Sequence, residues 1–193
     1  MTTLYETISN RSQKSNLAVD LLVVLAGSLL MTVAAKITIP FYPVPLTVQT
    51  LVAIGLGLAL GPARAAAAVL AYLAQGAAGL PVFAGAPATG LGLAYMAGPT
   101  GGYLMGFVLQ ALVAGGLARR GWGRSPVSAI GAGLIAAAAI YPTGLLWLGV
   151  VIGFDKPLFA LGLYPFVLGD LAKACLAALI FPAAWSLLAR GKE

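Results

Sequence analysis

Nineteen consecutive residues, 17–35, carry one charge, that of Asp20, and are otherwise Leu, Val, Ala, Gly, Ser, Met and Thr. A helix that crosses a bilayer needs about 20 such residues. The texture recurs along the chain, which is 61% hydrophobic and only 8% charged, against about 25% charged in a soluble domain. So few charges cannot give a folded chain a solvated surface, and lipid is therefore the solvent for most of it. In lipid the backbone must satisfy its own polar groups, which leaves helices or a closed barrel. A barrel needs short segments that alternate polar and apolar, and the long runs of Ala, Leu, Val and Gly do not. The expected fold class is an all-α integral membrane protein forming a single membrane domain, 1–193.

Six transmembrane helices are predicted, at about 17–35, 46–60, 65–79, 99–118, 126–150 and 166–189. "GPAR" (61–64), a Gly/Ala/Pro stretch (79–98), "RRGWGRSP" (119–126) and "GFDKPLFALGLYP" (153–165) separate the later runs. The polar residues 1–16 and the small residues before Lys36 loosely resemble a signal peptide. A signal core is about 7–15 residues, shorter than this run, so 17–35 is read as the first span. "GLGLA" at 55–59 and 90–94 reflects a Gly/Leu/Ala-rich composition rather than a duplicated half.

Charge placement tests this topology. Six spans put on one side Arg11, Lys14, Arg64, Arg119, Arg120, Arg124, Arg190 and Lys192, eight of the eleven Lys and Arg residues. The opposite connections hold only Lys36 and Lys156. The positive-inside rule then predicts a multi-pass protein of the cell membrane with both termini cytoplasmic. The net charge of +6 is thus explained by topology and calls for no nucleic acid. Trp122 and Trp185 fall near the inner interface and Trp147 near the outer one. The outer connections 36–45, 80–98 and 153–165 are long and rich in Pro and aromatics, as a site opening outward would need.

Few residues can do chemistry. There is no histidine and one cysteine, so no metal centre, haem or internal disulfide is expected; Cys175 reads as a small core residue. The one Gly-Lys pair is the terminal Gly191-Lys192, so the chain has no P-loop. "GPTGG" before Tyr103 lacks the lysine of a phosphate loop; its glycines would let backbone approach a ligand or another helix. With one acid deep in the membrane, an enzyme is not expected.

That acid is Asp170, with Lys173 at i+3 on the same helix face. A charge at the bilayer centre costs about 2.5–3.5 kcal/mol on insertion scales. The pair is either a packing ion pair or the polar floor of an outward pocket, with Asp170 accepting from N–H donors and Lys173 supplying a cation; the second reading is preferred. Thr47 and Gln49 stand at the outer end of helix two, where Gln49 offers one acceptor and two donors. "IPFYPVP" places Pro40, Pro43 and Pro45 within six residues. Proline restricts its own φ and extends the residue before it, so this loop costs little entropy to order. It is either a rigid connector or a preorganised cap carrying Phe41 and Tyr42. With no energy source visible in the chain, a partner is expected to supply it.

"IPFYPVPLTVQTL", "GLPVFAG", "GPTGGYLMGF" and "YPFVLGDLAKA" together resemble the BioY family, biotin-binding S-components of energy-coupling factor (ECF) transporters. The resemblance runs from about Leu17 to Leu188. It implies the six-helix S-component fold and high-affinity biotin binding near the outer face. It also implies work with a transmembrane coupling subunit and two ATP-binding cassette ATPase subunits, biotin being the transported substrate and no cofactor being needed. By motif, Asp170 and Lys173 resemble the family's polar ligand residues, and 37–45 its gating loop. Phe41, Tyr42, Thr47, Gln49, Phe83 and Tyr103 complete the expected substrate site. Biotin's ureido N–H groups, apolar thioether ring and carboxylate suit such a lining. An alternative is a solitary biotin carrier working without ATPases. The small residues of helix one fit small-xxx-small spacing only loosely, and Ala84 brings no polar side chain to "VFAGAPATG".

Overall fold

A computed structural model describes residues 3–9 and 17–190, residues 8–9 and 188–190 as backbone only. Arg11, Lys14 and Lys192 of the charge argument lie outside the described residues. The chain runs through α1 (Leu4–Ser9), α2 (Leu17–Lys36), β1 (Thr38–Ile39), β2 (Leu46–Thr47), α3 (Gln49–Leu60) and α4 (Pro62–Ala77). It continues through α5 (Gly92–Met96), α6 (Gly101–Arg119), α7 (Pro126–Ala138), α8 (Tyr141–Ile152), α9 (Leu158–Gly162) and α10 (Tyr164–Arg190).

Four expectations about elements change, the simplest at "GPAR", where α4 already starts at Pro62 and only Gly61 is left as the break. The proline segment is the turn of a hairpin, with β1 antiparallel to β2 and Thr38 opposite Thr47. Leu46 and Thr47 therefore belong to a ladder, not to a helix starting at 46. β-Branched residues flank a turn whose prolines have no N–H to offer a helix, so α3 begins only at Gln49. The expected helix 126–150 is interrupted after Ala138. Pro142 lies in the first turn of α8, where it is tolerated; within a continuous helix its ring would meet the carbonyl of Ala138, four residues back. The long connections 80–98 and 153–165 each contain a helical turn or two, α5 and α9.

Four segments are long and apolar enough to cross a membrane: Leu17–Lys36, Gly101–Arg119, Pro126–Ile152 and Leu158–Leu187. α3 has 12 residues and α4 has 16, short of the roughly 20 a full crossing takes. The helices alone thus do not establish six spans. α3 and α4 are separated by Gly61, whose φ of 81° is costly for residues with a Cβ.

α6 is the central helix, packed on α3, α4, α7 and α8, while α7 packs on α10. Near the hairpin the core is aromatic, with Tyr72, Phe83, Tyr95, Tyr103 and Phe107. Toward α1 it is rich in small residues, Ala114, Ala132, Ala136 and Ala177 among them, which let helices approach closely. In "GPTGG" Gly102 serves a helix contact, since a Cβ there would run into the Thr143 carbonyl and Trp147 on α8, whereas Gly98 borders the hairpin-end cavity. The outward faces are oily, with Leu22 and Leu29 of α2 and Leu179 of α10 well exposed, as lipid contact requires. Cys175, expected in the core, is exposed on α10, one position round from buried Ala174.

The end opposite the hairpin is tied by charge. Tyr5 of α1 donates to Asp20 Oδ1 at 2.6 Å, and Arg64 Nε donates to the same atom at 2.9 Å. The Arg64 guanidinium also lies 4.3 Å from the Tyr5 ring centroid. Arg124 stacks on Trp185 at 4.5 Å.

Candidate functional site

At the hairpin end the chain forms an open-mouthed cavity of about 730 Å³, within the roughly 300–1,000 Å³ usual for small-molecule sites. The hairpin forms one wall, through Thr38, Pro40, Phe41 and Tyr42; Ala84, Thr89, Tyr95 and Thr100 form the other. Beneath the turn lie two much smaller spaces, about 40 and 30 Å³. Each has room for only one or a few water molecules. They share Val44, Pro45, Thr47, Tyr103 and Phe107 in their linings. Val44 is the buried residue of the turn, 3% exposed, and joins the aromatic core around Tyr103 and Phe107. The turn thus seats a valine side chain against the two small spaces, one of which reaches Asp170.

Those polar groups centre on Asp170. Its side chain lines the larger of the two small spaces. It accepts a short hydrogen bond from the Tyr141 hydroxyl and one from Lys173 Nζ at 3.2 Å. Both charged side chains are largely buried, at 8% and 15% exposure. A carboxylate has about four lone-pair sites and an ammonium three N–H donors, so the pair keeps acceptor and donor capacity beyond these bonds. Buried ion pairs lose more hydration than they regain unless further hydrogen bonds complete them. Tyr141 provides one here.

The other predicted residues divide between levels. Thr47 and Tyr103 line both small spaces, and Gln49 lines the second. Gln49 is buried, donates to the Tyr72 hydroxyl at 2.8 Å and accepts from Thr47 at 3.3 Å. Tyr103 donates to the Gly162 carbonyl at 2.8 Å, fixing α9 over α6. Phe41 packs edge-on to Phe166 at 6.5 Å, and Phe166 stacks on Tyr103 at 6.1 Å. Tyr42 is 84% exposed at the rim of the wide cavity. Phe83 is fully buried behind the opposite wall, stacked on Tyr95 at 4.8 Å and edge-on to Tyr72 at 5.5 Å. Lys173 reaches the site through Asp170.

Sequence reasoning missed Tyr141, Tyr95, Tyr72 and Val44. A phenol inside an apolar run needs a hydrogen-bond partner, and that signal was available for Tyr72 and Tyr141. Tyr95 stands in the wall of both the wide and the second small space, and burial pushes its phenol above the ordinary range. Among the described residues no group of three His, Cys, Asp or Glu is placed to hold a metal ion.

Comparison with known proteins gives concordant matches. A "Probable biotin transporter BioY" of Pyrococcus horikoshii is 39% identical over 151 residues, covering 78% of this chain and 86% of the relative. The "Biotin transporter BioY" of Thermotoga maritima is 38% identical over 151 residues, with the same coverage. Among solved structures, the S-component for biotin from an ECF-type ABC transporter superposes with a TM-score of 0.74 at 26% identity, over 90% of this chain and 94% of that one. The fold is thus the one found in that S-component. The family model for BioY matches residues 7–190, and the chain belongs to the BioY family.

Proposed function

We propose that the chain is the biotin-binding S-component of an ATP-driven ECF-type importer, a membrane subunit and not an enzyme. The observation that carries this reading is the buried Asp170–Lys173 pair, braced by Tyr141 beneath the hairpin and below a wide cavity. A ligand with N–H donors, a polar acceptor and an apolar body suits that lining, and relatives and the matched structure are named for biotin. In this reading Asp170 accepts from the ureido N–H groups, and Lys173 donates to the ureido oxygen or the carboxylate. Thr47, Gln49 and Tyr103 border the polar end, while Phe41 and Tyr42 belong to the apolar wall above and Phe83 backs the opposite wall from behind. Lifting the hairpin withdraws Val44 and joins the spaces into one.

The six crossings are α2, α3, α4, α6, the broken pair α7–α8 and α10, with α3 and α4 as short crossings that form a hairpin at Gly61. The hairpin end faces outward, and both termini are in the cytoplasm of a cell whose plasma membrane holds the protein. Partners are a transmembrane coupling subunit and two ATP-binding cassette ATPases, which supply the energy that no motif in this chain supplies. Uptake of labelled biotin should be strong in cells expressing the chain with such a module and near background without it. Equal uptake in both would make the chain a solitary carrier.

A further inference from the structure

Lys36 stands at the junction of the two walls. It is the last residue of α2, where a cation complements the helix C-terminus, and β1 starts two residues later. Its ammonium donates to the carbonyls of Pro81 at 2.6 Å, Phe83 at 2.8 Å and Ala86 at 3.2 Å. Three N–H donors thus meet three carbonyls of one segment, which uses the full donor capacity of an ammonium. Residues 80–90 otherwise keep their hydrogen bonds within the nearby chain: Leu80 to Gln75, Ala86 to Phe83, Thr89 to Gly85 and Ala84, Gly90 to Pro87. Among the described residues, Lys36 makes the hydrogen bonds that join this segment to the hairpin side of the cavity. The segment brings Ala84, Gly85 and Thr89 to the wide cavity and buries Phe83 against Tyr95.

We propose that Lys36 is a positioning residue: its ammonium straps the 80–90 wall to the base of the hairpin and so sets the width of the ligand cavity. Lys36 itself touches the wall and not the ligand. Without the strap the two walls move apart independently, and a bound ligand escapes faster. The proposal rests on the biotin reading for its affinity test and stands apart from it for its dynamic test.

The test uses the Cys175→Ser background, which removes the one cysteine, and adds Lys36→Cys. Alkylation with 2-bromoethylamine then converts the new thiolate to an aminoethyl thioether, releasing bromide and restoring an ammonium at nearly the length of lysine. Lys36→Cys should weaken biotin binding about tenfold, chiefly through faster dissociation, and alkylation should restore it to within about twofold. Unchanged dissociation in Lys36→Cys, or a loss that alkylation does not reverse, overturns the proposal. Amide hydrogen exchange on the ligand-free protein reads the strap directly: exchange across 80–90 should rise in Lys36→Cys and fall after alkylation, and no rise overturns it. If the background protein binds no biotin, the functional reading fails while hydrogen exchange still decides the strap.

Discussion

Replacing Asp170 with asparagine should weaken biotin binding by about 30- to 100-fold while the protein still inserts and folds. Asparagine keeps the shape and one acceptor but removes the charge. A hydrogen bond to a charged group is worth about 1.5–3 kcal/mol, and each 1.4 kcal/mol is about tenfold in affinity. One such bond to a ureido N–H already accounts for about tenfold. Tyr141 and Lys173 are both aimed at the Asp170 carboxylate, so the substitution also disturbs the groups that hold the acceptor in place. Calorimetry beside a melting curve in the same detergent separates lost binding from lost folding. A well-folded variant with unchanged affinity would remove Asp170 from the site.

Replacing Lys173 with alanine should cost more than tenfold in biotin affinity. Lys173 and Asp170 are 3.2 Å apart and largely buried, so deleting the ammonium leaves the carboxylate with Tyr141 alone and, in the proposed site, removes a donor to the ligand. Removing one partner of a buried pair costs about 3–5 kcal/mol in folding, so this variant should also melt earlier. The two effects part in a titration of the folded fraction: a purely structural pair would lower the melting temperature and leave affinity unchanged, whereas a ligand-binding pair lowers both.

The long spans were legible because hydropathy is a property of whole windows. The runs around 17–35 and 99–118 fall within a residue or two of α2 and α6. Asp170 and Lys173 were legible as a pair because i, i+3 spacing is local to one helix. What depends on a distant partner was not. Leu46 and Thr47 are strand because Ile39 and Thr38 lie across the turn, and no periodicity of 46–60 records that. Gln49 finds Tyr72 across 23 residues. Lys36 looked like a charge in an outer connection, whereas the three carbonyls it meets lie 45 to 50 residues further along. In sequence the proline turn reads as either a rigid connector or a cap carrying Phe41 and Tyr42. Its buried residue is instead Val44, because the turn directs that side chain inward while Tyr42 points out. Cys175 faces outward because α10 turns Ala174 and Ala177 toward the core, a rotation that composition alone does not set.

The most direct measurement is calorimetric titration of biotin into the purified chain in detergent, with no coupling subunit or ATPase present. Saturable one-to-one binding by the chain alone is the predicted result, because the Asp170–Lys173 pair and both cavity walls come from this chain. Absence of binding by monodisperse, helical protein would contradict biotin as its ligand.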